Sequence, residues 1–217
     1  QNVTSPAGAK GFWQIMKPTG IEYGLEINNE VDERYHVEKS THMACKYLLD
    51  AYNKFGNWTL AAASYNMGMH GISKQLKRQK VNSYYDLLLN NETGRYLYRI
   101  LAVKEILSTP EKYGFQVREK DKYPAIETTK ITIDSSITDF ADYAYIYKIS
   151  YKTLKIFNPW LRQSYLKNES GKSYQIEIPT DTLLVGTIHR ELFPDNRKTD
   201  TLNTLISPDM IDSVKID

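Results

Sequence analysis

The stretch Ala61-Ala-Ala-Ser-Tyr-Asn-Met-Gly68 decides how the first half of this chain folds. Successive alanines lose almost no side-chain entropy in a helix, and they let a neighbouring backbone approach closely. Asn57 stands upstream as a cap, Trp58 and Leu60 open the helix, and Gly68 closes it. Tyr65 and Asn66 therefore stand at the end of an alanine-lined helix. Working outward, residues 39–55 place Met43, Ala44, Tyr47, Leu48, Ala51, Tyr52 and Phe55 at helical spacing, with Gly56 as terminator. A shorter helix is expected around Ile72 to Leu76 and a helical turn at Tyr84 to Leu89. A long helix then runs from about Glu92 to Leu107, with Tyr96, Ile100, Val103 and Leu107 as its buried face. Pro110 forbids its continuation. The segment Lys17 to Val37 reads as a polar loop carrying Glu30, Asp32 and Glu33.

The composition changes after Tyr113 and Gly114. Arg118 to Lys122 is a charged run closed by Pro124, the mark of a linker. Beyond it Lys130 to Ile133 alternates like a short strand, and Thr138 to Lys148 reads as a helix. Ser150 to Asn158 reads as another, and Tyr174 to Ile178 alternates again before Pro179. The fold class is therefore mainly α: a helical domain over residues 1–117, a linker over 118–127, and a small α+β unit of βααβ order over 128–180. Residues 181–217 form a C-terminal extension, irregular from about Asp195.

The 217 residues are 41% hydrophobic, enough to bury a core, and 28 Lys and Arg against 26 Asp and Glu leave a net charge of only +2. Such a balance gives no field for sequence-independent phosphate binding, so nucleic acid is excluded as a partner. No apolar run approaches the roughly 18 to 20 residues that span a bilayer, so no transmembrane segment is expected. No secretory leader opens the chain, which starts at Gln1 in the manner of a trimmed N-terminus. Cys45 stands alone among Met43, Ala44, Tyr47 and Leu48 and reads as a core thiol. His36, His42, His70 and His189 show no i, i+4 spacing, and neither metal nor cofactor is expected.

The second informative stretch is Ser5-Pro-Ala-Gly-Ala-Lys-Gly-Phe-Trp-Gln14, a small-residue turn leading to an aromatic pair and an amide. Small residues let backbone approach a bound ligand closely. With Ala63 to Gly68 and Glu92-Thr-Gly-Arg-Tyr96 in that order, the chain resembles the lysozyme-like domain of the soluble-lytic-transglycosylase family, most closely its membrane-bound type D branch. Tyr23 to Leu25, Val31 to Arg34 and Tyr47-Leu48 also fit that pattern. In the family a Glu-Ser pair precedes the serine turn. Here that pair would fall a few residues before Gln1.

The resemblance implies a definite chemistry. One glutamate protonates the leaving oxygen of the β-1,4 bond between N-acetylmuramic acid and N-acetylglucosamine, then takes the proton of the muramyl 6-hydroxyl to leave a 1,6-anhydro end. A single carboxyl in both roles needs a raised pKa and an apolar surround, of the kind Trp13, Met16 and Met67 supply. No second carboxylate is needed, unlike the usual glycosidase pair. By resemblance Tyr65 and Asn66 line the cleavage site, Gln14 bonds substrate, Ser5 positions active-site groups, and Glu92 and Tyr96 reach the sugar. Trp13 and Tyr96 read equally as core packing and as sugar contacts. Glu22, Glu26, Glu30 and Glu33 read as solvated carboxylates, and none is assigned as the acid. The catalytic glutamate is expected upstream of Gln1, and residues 1–217 alone are expected to be inactive.

Residues 128–180 resemble a degenerate LysM module, a βααβ fold that binds N-acetylglucosamine-containing glycans. Its markers are Lys130 to Ile133, Ile137 to Ala141, Ser150 to Leu154, Phe157 to Pro159 and Tyr174 to Pro179. The usual Gly-Asp-Thr turn reads Asp134-Ser-Ser136 here, so a packing role stands beside sugar binding. The resemblance implies peptidoglycan glycan strands as partner. It implies the bacterial envelope as location, in the periplasm or lipid-anchored to the outer membrane. A non-catalytic wall-binding protein and a hydrolytic relative of goose-type lysozyme remain as alternatives.

Overall fold

In the computed structural model, residues 3–180 are described, and they form a helical unit followed by a small βααβ unit. The helical unit comprises α1 (Lys17–Glu22), α2 (Val37–Phe55), α3 (Trp58–Met67), α4 (Met69–Gln79) and α5 (Asn91–Ser108). Helix α2 ends at Gly56, whose φ of +73° is a left-handed geometry that costs glycine nothing. One residue later the Asn57 side chain accepts from the Leu60 amide at 2.9 Å and starts α3. Ala61 and Ala63 are fully buried, so α3 becomes the central helix against which α2, α4 and α5 pack. Leu60, Ala63, Ile72, Tyr84 and Leu97 form one core on its far side; Ile15, Leu25, Met43 and Tyr47 form another beneath the N-terminal turn.

The second unit holds β1 (Thr128–Ile133), α6 (Phe140–Ile146), α7 (Tyr151–Phe157) and β2 (Tyr174–Pro179). The strands pair antiparallel with Ile131 opposite Ile176, so Ile133, Ile176 and Ile178 turn toward Phe140, Ala144 and Leu154. Buried Asn158 completes the closure. Its amide donates to the Leu154 and Glu177 carbonyls at 3.0 and 2.7 Å and its oxygen accepts from the Glu177 amide at 2.8 Å. A side chain that uses both of its ends on backbone in this way ties α7 to β2.

Several expectations need correction. The segment 17–37 is not a polar loop: it contains α1 and a 3-10 turn at Glu33–Tyr35, and Asp32, Glu33 and Arg34 are buried. Burial is tolerated because each charge is paired. Arg34 binds both Asp32 oxygens at 2.7 and 2.8 Å, and Glu33 accepts from Lys39 Nζ and from the Glu26 amide. Cys45 is exposed rather than a core thiol, because α2 turns Met43, Ala44 and Tyr47 inward and position 45 falls on the opposite side. On α5 only Thr93 and Leu97 are buried. Ile100, Val103 and Leu107 of the expected core stripe are exposed, and Tyr96 is half-buried. Helix α4 is longer than expected, and the turn at Tyr84–Asp86 shorter. The extension at 181–217 lies outside the described residues, as does Gln1.

The two units share a core. Val31 and Tyr35 of the helical unit pack with Trp160, Leu161 and Tyr174 of the second. Val31 bridges Leu161, the Asp32 amide donates to the Trp160 carbonyl at 2.9 Å, and the Arg162 amide to the Glu30 carbonyl at 2.7 Å. His36 stacks on Trp160, and Lys130 pairs with Glu38 at 2.9 Å.

Candidate active site

The turn at residues 5–16 is built from its small residues. Ser5 holds it closed: its hydroxyl accepts from the Ala9 amide at 3.0 Å, and its backbone pairs with Ala9 and Gly8. Lys10 and Ile15 then exchange two backbone bonds at 3.1 Å around a tight loop. Gly11 sits at φ +76°, and a Cβ there would lie 2.1 Å from the Arg34 carbonyl oxygen. Only glycine fits, so the motif glycine is required by the close approach of the buried 32–35 segment. Gln14 is itself left-handed at φ +49°, and its amide donates to the Gly11 carbonyl at 2.8 Å.

This turn faces the C-terminal end of α3 across a cavity of about 250 Å³. Gln14, Ile15, Met16, Thr19, Met43, Tyr47, Tyr65, Asn66, Met67 and Gly68 line it. Tyr65 donates to the Trp13 carbonyl at 2.8 Å and meets the Trp13 ring edge-on, which stitches turn to helix. Behind it Tyr47 packs edge-on against Tyr65, donates to the Ser64 carbonyl at 2.9 Å and accepts from the Met69 amide at 3.1 Å. Burial raises the pKa of Tyr65, Tyr47 and Tyr96 alike, so these hydroxyls stay neutral, and those of Tyr65 and Tyr47 serve as donors. Asn66 is oriented from α5: Thr93 Oγ1 donates to its oxygen at 2.7 Å, and its amide donates to Glu92 Oε1 at 3.2 Å.

The expected site residues thus divide. Gln14, Tyr65 and Asn66 converge on the cavity, together with Met16 and Met67 of the expected apolar surround. Trp13 packs behind the wall, its indole N–H donating to Thr41 at 2.8 Å, and Ser5 acts inside the turn. Glu92 and Tyr96 border a separate, more open groove of about 680 Å³ that runs along α5 past Ile100 and Val103 to Leu107. The Asn66–Glu92 bond joins the two. Sequence reasoning missed Tyr47 and Met43 as cavity walls, because helical periodicity assigns both to the core and does not show that the core opens there. Among the cavity-lining residues none is a carboxylate.

Comparison with known proteins agrees with this architecture. Residues 1–88 match the transglycosylase SLT domain, and residues 129–182 match the soluble lytic transglycosylase C-terminal LysM-like domain. The chain is 34% identical over 179 residues to membrane-bound lytic murein transglycosylase D of Escherichia coli strain K12, covering 80% of this chain and 38% of that protein. The same figures hold for the protein of that name from Escherichia coli O6:H1. The chain thus spans 38% of the length of the curated relatives it matches. With a helical unit whose cleft joins Gln14 to Tyr65 and Asn66, and a βααβ unit docked beside it, the chain carries a transglycosylase SLT domain followed by a soluble lytic transglycosylase C-terminal LysM-like domain.

Proposed function

We propose that the 250 Å³ cavity is the sugar-binding heart of a peptidoglycan lytic transglycosylase, one that cuts the β-1,4 bond between N-acetylmuramic acid and N-acetylglucosamine and leaves 1,6-anhydro ends. The observation that carries the reading is the convergence of Gln14, Tyr65 and Asn66 with Met16 and Met67. Polar groups on a mainly apolar wall suit an N-acetylated sugar, since they fix its hydroxyl and amide groups while thioether and aromatic faces cover its ring.

The general acid and base is a glutamate contributed by the segment that precedes the Ser5 turn, in the order the family pattern gives. Glu92 does not replace it: this exposed carboxylate is bonded to Asn66 and borders the neighbouring groove. Glu33 is held by Lys39 on the other side of the turn. Residues 1–217 supply the walls that bind the glycan around that glutamate. Within the envelope, the periplasm is the compartment that supplies this substrate. Among the described residues no helix is long and apolar enough to cross a membrane.

Two measurements test the reading. Titration of residues 1–217 with N-acetylglucosamine tetramer should shift the backbone resonances of Gln14, Tyr65 and Asn66. Digestion of peptidoglycan with a longer form that includes the preceding segment should release fragments one water lighter than hydrolysis products. Reducing ends instead of anhydro ends would make the protein a hydrolase. Absence of turnover in that longer form, with binding retained, would make it a wall-binding protein.

A further inference from the structure

The segment Glu26 to His36 touches both units at once. Toward the cleft, Arg34 Nη1 donates to the carbonyls of Gly8 and Ile15, both at 3.3 Å, and the Arg34 carbonyl is the surface against which Gly11 closes. These carbonyls belong to the two ends of the turn that presents Gln14. Toward the second unit, the Asp32 amide is bound by Trp160 and Val31 bridges Leu161. Glu30 accepts from the Lys167 amide at 2.8 Å, and Gln163 donates to the Asn29 carbonyl at 3.0 Å. Asp32 is the link between the two sides: its backbone is held by the second unit, and its carboxylate grips the Arg34 guanidinium through two bonds.

A buried ion pair gives little net stability over apolar packing of the same volume. Its value here is directional. A guanidinium with two of its nitrogens fixed on one carboxylate has its remaining N–H groups aimed along a set line, and that line ends on the Gly8 and Ile15 carbonyls. We propose that Arg34 is a positioning residue for the glycan cleft, and that the LysM-like unit is the anchor that holds it, so that the unit works as a brace for the Ser5–Met16 turn. The proposal rests on the reading of that turn as a wall of the sugar site.

Amide hydrogen exchange on the whole 217-residue chain tests this without ligand, using Arg34→Lys and the double variant Glu30→Ala/Gln163→Ala. Lysine keeps a charge for Asp32, but its single nitrogen cannot hold both Asp32 oxygens and still present donors to the Gly8 and Ile15 carbonyls along a fixed line. It should speed exchange at the Lys10, Gln14 and Ile15 amides by about tenfold, with α3 and α5 unchanged. The double variant removes only exposed junction contacts, so the fold survives. It should speed exchange at the Asp32 and Tyr35 amides and, in step, at those of the turn. Affinity for N-acetylglucosamine tetramer should fall with turn protection in both. If the turn amides exchange as in the unsubstituted chain, or if protection drops uniformly across all helices, the positioning role is wrong. A chain whose turn amides respond as expected but which binds no tetramer would instead overturn the sugar-site reading and leave the brace standing.

Discussion

Thr93 Oγ1 donates a 2.7 Å hydrogen bond to Asn66 Oδ1, so the first turn of α5 sets the orientation of the amide that ends α3. Thr93 is almost wholly buried, and its own backbone amide is capped by Asn90 at 2.8 Å. The hydroxyl is therefore free of the cap and spent on Asn66. Because Oδ1 is engaged, the amide nitrogen faces Glu92 and the groove beyond it.

Thr93→Val keeps the shape and removes only that donor. Loss of one such bond, with a partner left unsatisfied, should cost about 1–2 kcal/mol in urea unfolding. Affinity for N-acetylglucosamine tetramer should fall more than stability alone explains, because the Asn66 amide is then held only by its bond to the exposed Glu92. Unchanged binding would mean that Asn66 does not meet sugar.

Gly11 and Gly8 make a controlled pair. Both have positive φ, +76° and +86°, but a Cβ at Gly8 meets nothing within 4 Å, whereas one at Gly11 meets the Arg34 carbonyl oxygen at 2.1 Å. Gly8→Ala should therefore cost only the left-handed strain, about 1–2 kcal/mol. Gly11→Ala adds a backbone clash and should cost about 2–3 kcal/mol more. Equal losses in chemical denaturation would show that the turn moves away from Arg34 freely.

Much of this architecture is legible in the residues, for local reasons. Gly56 followed by Asn57 stops one helix and caps the next whatever lies around them, and the alternation of Lys130 to Ile133 against Tyr174 to Ile178 matches the observed pairing. What is not legible depends on distant neighbours. Asp32 and Glu33 look solvated until Arg34 and Lys39 fold back on them and Trp160 covers the segment. Periodicity identifies an apolar face on α5 but not whether anything covers it. The same limit hides Tyr47 and Met43, which belong to a core that opens into a cleft. Gln14, Tyr65 and Asn66 are distant in sequence, and only the order of the motifs connects them.

Helix α5 turns that limit into a measurement. Leu107 is 75% exposed, whereas Leu97 on the same helix is 7% exposed and packs with Leu60 and Ile72. Leu107→Ala should change unfolding free energy by no more than about 0.5 kcal/mol, as exposed sites do. Leu97→Ala should cost about 2–5 kcal/mol. A large loss at Leu107 would mean that its face is covered in solution.

The junction between the units should weaken on mild acidification, because His36 is stacked on Trp160 at 5.8 Å and lines a pocket between them. Burial disfavours the imidazolium, and the nearby charge of Lys39 adds to this, so the folded pKa lies below the usual 6.5. The unfolded chain titrates near that usual value. Between the two, the unfolded state binds more protons, so stability falls as pH drops through 6.5 and levels off below the folded pKa. Glu26 acts in a separate window. Burial raises its pKa, but bonds from Lys172 and Tyr174 outweigh that and lower it from 4.5, so its stabilising contribution disappears only in stronger acid. His36→Phe keeps a ring on Trp160 and removes the titration. Urea unfolding followed by tryptophan fluorescence, repeated at half-unit steps from about pH 7.5 to pH 5, should show a stability slope in the parent chain and a flatter one in the variant. Equal slopes would place the acid sensitivity elsewhere than at this stack.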